Sequence, residues 1–207
     1  MVGFTASPDY CYRTLRGDNG TGWIADSRDQ MEMPKFGYTV GGRVMFSLLN
    51  RVSFETGLLF SDKGEKTKVM TYYYLQPEPN APVSGEHNYH YYHLDVPAKV
   101  NYYLTSSRCK FFVSGGTAVN IFLQEKRTST LNYADGHTEK RDATSSPGFM
   151  NTSISGLAGA GVDFDLNERL RFRIEPIYRH ALVSFTSSPV KSYLHSAGVN
   201  WGVFLSF

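Results

Sequence analysis

Eight segments of this chain alternate apolar and polar residues with a period of two, and in each one Lys, Arg, Asp and Glu keep to a single phase. Side chains alternate across a β-strand, so every segment reads as a strand with one face free of charge. The last, Ser192 to Phe207, sets Ala197, Val199, Trp201, Val203, Leu205 and Phe207 against Ser196, Gly198, Asn200, Gly202, Phe204 and Ser206. The other seven cover Val2 to Tyr12, Phe36 to Leu48, Val52 to Ser61, His90 to Leu104, Phe111 to Gln124, Ile154 to Leu166 and Leu170 to Leu182. Over all eight, the polar phase carries Asp9, Arg43, Glu55, Asp95, Lys99, Asp163, Asp165, Arg171, Arg173, Glu175 and Arg179.

The connections differ in length by turns. Residues 13–35, 62–89 and 125–150 are rich in Gly, Pro and polar residues and read as loops, the second with room for a hairpin extension. Only a few residues around Asn50, from Thr105 to Arg108 and around Glu168 separate the strands in between. Up-and-down order then gathers the long connections at one end and the short turns at the other. Pro97 and Pro176 fall inside strands, where a missing N–H is awkward, and bulges are expected there.

Two solvents could sort these faces. A soluble barrel such as a lipocalin turns the apolar face inward and hydrates the charges. A membrane barrel turns it outward, because an Arg or Lys facing lipid at the midplane costs about 2 to 4 kcal/mol. The loop asymmetry favours the membrane form, as do aromatic residues near strand ends: Tyr12, Phe36, Tyr92, Tyr102, Phe111, Phe164 and Trp201. The expected fold is therefore all-β, an eight-stranded antiparallel up-and-down transmembrane β-barrel in a single domain over residues 1–207. No run of about 18 apolar residues exists, so no membrane helix is expected. A net charge of +2 gives no argument for nucleic acid. Met1 to Phe4 lack the basic and apolar regions of a secretion signal, so the signal is expected to be absent from this chain. Cys11 and Cys109 should lie near opposite ends of the barrel, too far apart to bond.

The run Leu94-Asp95-Val96-Pro97-Ala98-Lys99-Val100-Asn101-Tyr102 is followed by Phe112-Val113-Ser114-Gly115-Gly116, Gly159-Ala160-Gly161-Val162-Asp163, Leu170-Arg171-Phe172-Arg173-Ile174-Glu175-Pro176 and a terminal Phe207. Together these resemble the PorT-like family of small outer-membrane β-barrel domains, over nearly the whole chain. The resemblance implies a protein of the Gram-negative outer membrane and brings no catalytic residue or cofactor. The alternation ending in Trp201, Val203, Leu205 and Phe207 likewise resembles the closing strand that the barrel-assembly machinery reads. Short turns on the periplasmic side would place both termini there.

Antiparallel pairing around Asn167 sets Asp165 opposite Arg171 and Asp163 opposite Arg173, and the turn at Asn50 brings Arg43 close to Glu55. A lumen crossed and plugged by ion pairs is expected, joined by Asp95, Lys99, Glu175 and Arg179, with a proton or ion path as the alternative reading. Tyr72, Tyr73, Tyr74, Tyr89 and Tyr91 could present an aromatic surface to a protein or glycan, or belong to the outer girdle and a strand extension. His180 and His195, with Ser184 and Ser196 nearby, suggest an outer-leaflet lipid-modifying enzyme, but the acidic third member is missing from that face. His87, His90 and His93 are spaced by three, which on a strand splits them between faces and argues against a metal. The expectation is a monomer without catalysis or cofactor. Its partners would be membrane lipid, the assembly machinery and an unidentified protein or glycan. A soluble ligand-binding barrel stands as a further alternative.

Overall fold

A computed structural model describes residues 1–17, 20–76, 78, 80–145 and 148–206. In chain order the elements are β1 (Val2–Gly17), α1 (Gly22–Met31), β2 (Glu32–Leu49), β3 (Val52–Lys63), β4 (Glu65–Thr67), β5 (Met70–Thr71), β6 (Pro82–Tyr103), β7 (Cys109–Tyr133), β8 (Thr138–Ser145), β9 (Thr152–Asp165), β10 (Leu170–Ala181) and β11 (Val190–Leu205). Eight of them, β1, β2, β3, β6, β7, β9, β10 and β11, pair antiparallel with their neighbours into a closed ring. The seam joins the first strand to the last, from Val2 opposite Leu205 to Gly17 opposite Val190.

The uncharged phase faces outward all round. Phe4, Phe36, Phe46, Val113, Trp201 and Val203 are exposed, whereas Thr5, Asp9, Glu55, Asp163, Glu175 and Asn200 are buried inside. Alternation alone thus decides which side of the wall each residue takes. At the turn end, Asn167 Oδ1 accepts the N–H groups of Arg169 and Leu170 at 2.9 and 2.8 Å, an Asx turn that sends β9 back as β10. Cys11 is buried, Cys109 is exposed, and neither is in a disulfide.

The strands run further at the loop end than alternation suggests. β1 continues to Gly17 and β2 starts at Glu32, with α1 between them where a loop was expected. The helix buries only Ala25, against Leu15 and Val190, so its sequence has no apolar stripe to mark it. Residues 62–89 contribute the end of β3, the short strands β4 and β5 and the start of β6. Residues 125–145, expected as loop, are the rest of β7 and β8, joined by a turn in which Gly136 takes a positive φ of 87°. Polar residues fill both phases of this ribbon, so nothing in their order marks a strand.

The two prolines make no bulge. Pairing between β3 and β6 lapses from Ala98 to Asp95 and resumes in the same register, and that between β9 and β10 does so around Pro176. Each proline lacks one N–H toward one neighbour only and keeps its place opposite the other, Ala118 or Val199. The β6–β7 register instead shifts at Tyr92/His93.

Candidate functional site: the lumen and its mouth

Inward-pointing charges of neighbouring strands meet because the register sets them level. Nearest the turn end, Asp165 accepts from Arg171 Nε and Lys110 Nζ, both at 2.6 Å. One step deeper Arg173 donates to Asp163 through Nε at 2.6 Å and Nη2 at 2.7 Å, and through Nη1 to Glu55. Arg43 also bonds Glu55. Lys99 spans the lumen to both oxygens of Glu175 at 2.6 and 2.7 Å, and Asn200 donates to the same carboxylate at 2.9 Å. Arg179 then links Asn200 Oδ1 at 2.9 Å to Asp9 Oδ1 at 2.7 Å. From Asp163 and Arg173 to Asp9 these side chains are buried, so each charge there is compensated inside the wall as desolvation demands, while Asp165, Arg171 and Lys110 at the turn end stay partly exposed.

Two rings hold Arg173 in place. Its guanidinium carbon lies 4.2 Å from the centroid of Phe112 and 5.2 Å from that of Phe204. Both phenylalanines point inward, and glycines make room for them: a Cβ at Gly202 would come within 2.8 Å of the Phe204 ring, and one at Gly161 within 2.7 Å of Phe112.

Toward the loop end the network passes to residues that the sequence reading left in loops. Lys63 bonds Asp95 at 2.8 Å, Asn120 bonds the other Asp95 oxygen at 2.6 Å, and Lys35 bonds Asp62 at 3.0 Å. Arg13 pairs with both Glu32 and Glu65. Tyr91 OH donates to Glu65 at 2.9 Å. Glu65 lies on β4, beyond the outward aromatic residues Tyr38, Phe60 and Tyr92. Burial, aided by the charge of Glu32 and opposed by Arg13, pushes its carboxyl up to about 7.

Tyr91 is a correction. Its neighbours in sequence suggested a surface, but its phase is inward, and it is buried with Phe185 and Leu194 while Tyr89, Phe122 and Phe149 pack around them. Tyr73 is 92% exposed, Tyr74 is partly covered, and Tyr72 reaches His87 Nε2 at 3.3 Å. Tyr89 stacks beside Tyr91 at 6.4 Å.

Two cavities within the ring measure about 20 and 10 Å³. Ser155 Oγ, Ser196 Oγ and His195 Nε2 are buried without a partner, and all three residues line the larger, which has room for one water. The His180 and His195 rings lie 4.4 Å apart on the outer wall. Ser184 Oγ is engaged by Thr186 and the Ser192 N–H rather than by either imidazole. His87, His90 and His93 bond Ser129, Asp62 and the Tyr91 carbonyl in turn and do not converge. Trp201, Val203 and Leu205 face outward, and Phe207 lies outside the described residues.

A family model described as an outer membrane protein β-barrel domain matches residues 12–187. No curated protein sequence matches the chain. Among solved structures, Neisserial surface protein A is 14% identical with a TM-score of 0.49, covering 99% of this chain and 97% of its own. OprG of Pseudomonas aeruginosa is 12% identical with a TM-score of 0.45, over 97% of this chain and 93% of its own. Ail of Yersinia pestis, the attachment invasion locus protein, is 11% identical with a TM-score of 0.34, over 97% of each chain.

Proposed function

Because the chain belongs to the outer-membrane protein β-barrel domain family, we propose that it is a non-enzymatic barrel of the Gram-negative outer membrane, with a plugged lumen and a surface-binding or anchoring role. The observation that carries this reading is the division of the wall. Apolar side chains cover its outside, while ion pairs cross the inside beside cavities of about 20 and 10 Å³. Such a lumen has room for single waters rather than for a solute. On the residues quoted above, the PorT-like kind of barrel fits best within the family. The short turns and both termini then face the periplasm, and the ribbon of β6, β7 and β8 rises outside the cell with Tyr72, Tyr73 and Tyr74 along its far end, beside Pro82 and Val83, and Tyr89 nearer its base. That aromatic surface suits a protein or glycan partner. Trp201, Val203 and Leu205, with Phe207, serve as the strand read by the assembly machinery, and the barrel acts as a monomer.

Refolding in detergent and comparing boiled with unboiled samples by gel electrophoresis tests the reading. A mobility shift on boiling, with detergent needed for solubility, is the expected result. Full solubility without detergent and no shift would overturn it.

A further inference from the structure

The outer wall at the junction of β1, β11 and β10 carries polar groups that the interior does not use. The outward phase of β1 continues past Tyr12 to Thr14 and Arg16, and that of β11 runs from His195 through Tyr193 to Lys191. Register sets Arg16 directly opposite Lys191. Like charges facing each other across a ladder repel, and no carboxylate of the described residues pairs with either. The Arg16 guanidinium instead lies over the Tyr193 ring, 5.3 Å from its centroid. Just below, Tyr12 stacks on His195 at 4.8 Å, and its hydroxyl meets that of Tyr178 at 2.8 Å. A groove of about 250 Å³ opens between these groups, lined by Thr14, Arg16, His180, Leu182, Tyr193 and His195.

We propose that this groove holds the phosphate-bearing headgroup of an outer-leaflet lipid. Arg16 on the groove's lining and Lys191 directly across the ladder from it, with no carboxylate of the described residues paired to either, favour an anion from outside the chain at the level where the apolar wall ends, and a guanidinium suits phosphate geometry. The groove opens on the lipid-facing side of the wall, so its anion arrives attached to acyl chains, with Leu182 beside them. The Thr14 and Tyr193 hydroxyls and the His180 imidazole around it supply further donors. The proposal rests on the membrane orientation given above, with the loop end outermost.

Native mass spectrometry of the full chain, refolded in detergent micelles, provides the test. The probes are diphosphorylated lipid A, its dephosphorylated form and inorganic phosphate. Retention of the phosphorylated lipid is expected, falling about tenfold or more in the double variant R16E/K191E. Arg51→Glu, at the opposite rim, should bind as the parent does. If the charge-reversed chain fails to refold, R16Q/K191Q is read in its place. Equal retention of dephosphorylated lipid, or undiminished binding by the double variant, would overturn the site. Retention of inorganic phosphate as strong as that of the lipid would assign the groove to a free anion and overturn the lipid. Absence of a boiling-sensitive shift in the parent protein would instead strike the membrane reading beneath it.

Discussion

Arg173 ties together two carboxylates from different strands, Asp163 and Glu55, while lying between the rings of Phe112 and Phe204. Removing it leaves both acids with less compensation in a buried place. Arg173→Ala should therefore lower the stability of the detergent-folded barrel by about 3 to 5 kcal/mol, read from urea unfolding. A change within about 0.5 kcal/mol would show that Arg43 and Lys99 at Glu55, and the Tyr103 hydroxyl that donates to Asp163 at 2.9 Å, suffice without it. Glu65 gives a pH dependence of definite sign. Its folded-state carboxyl is raised to about 7 from an ordinary 4.5, so the folded protein holds the proton more tightly than the unfolded one. The stability it contributes is present below about 4.5 and is lost as pH rises through about 7. Thermal unfolding in detergent from pH 5 to 8 should thus show declining stability in the parent and a flatter profile in Glu65→Gln. Parallel profiles would sink this account. The partners of Asp163 and Asp165 were legible in the sequence because a short turn makes pairing a matter of counting outward from Asn167. The bond from Lys99 to Glu175 was not, since β6 and β10 are not neighbours and meet only across the closed lumen.

Strand identity was legible wherever one face is apolar, and faded where both faces turn polar. β7 shows this in one element: Phe111 to Leu123 alternate cleanly, yet Glu125 to Tyr133 stay paired to β6 and β8 without any apolar phase. Beyond the apolar wall only the ladder and cross-strand contacts such as Thr128 Oγ1 to Asp142 at 2.8 Å keep these residues extended. The ribbon extends past the ring, with β4 and β5 against its β6 edge. Replacing residues 128–142 with a two-residue hairpin turn should leave the boiling-sensitive mobility unchanged, and protease added to intact cells should cut near Gly136 without releasing the barrel. Loss of the shift on shortening would mean that the ribbon is needed to close the ring. α1 escaped notice for the related reason that one buried alanine leaves no periodic trace.

At the scale of the molecule, ion pairs occupy the middle of the lumen and an aromatic cluster of Tyr91, Phe122, Phe149 and Phe185 lies nearer the loop end. The protein reconstituted in planar bilayers should give no stepwise conductance, and steady single-channel openings would refute the plugged lumen. The ring also has a seam, and the seam joins residue 2 to residue 205. A sheet of this design has no smaller closed form. Until β11 is in place, every partly assembled sheet keeps two raw edges, along β1 and along whichever strand came last, with hydrogen-bonding groups that neither lipid nor a half-built wall can satisfy. The final strand therefore acts as a latch: the chain can become watertight only in one act, at the end of its assembly.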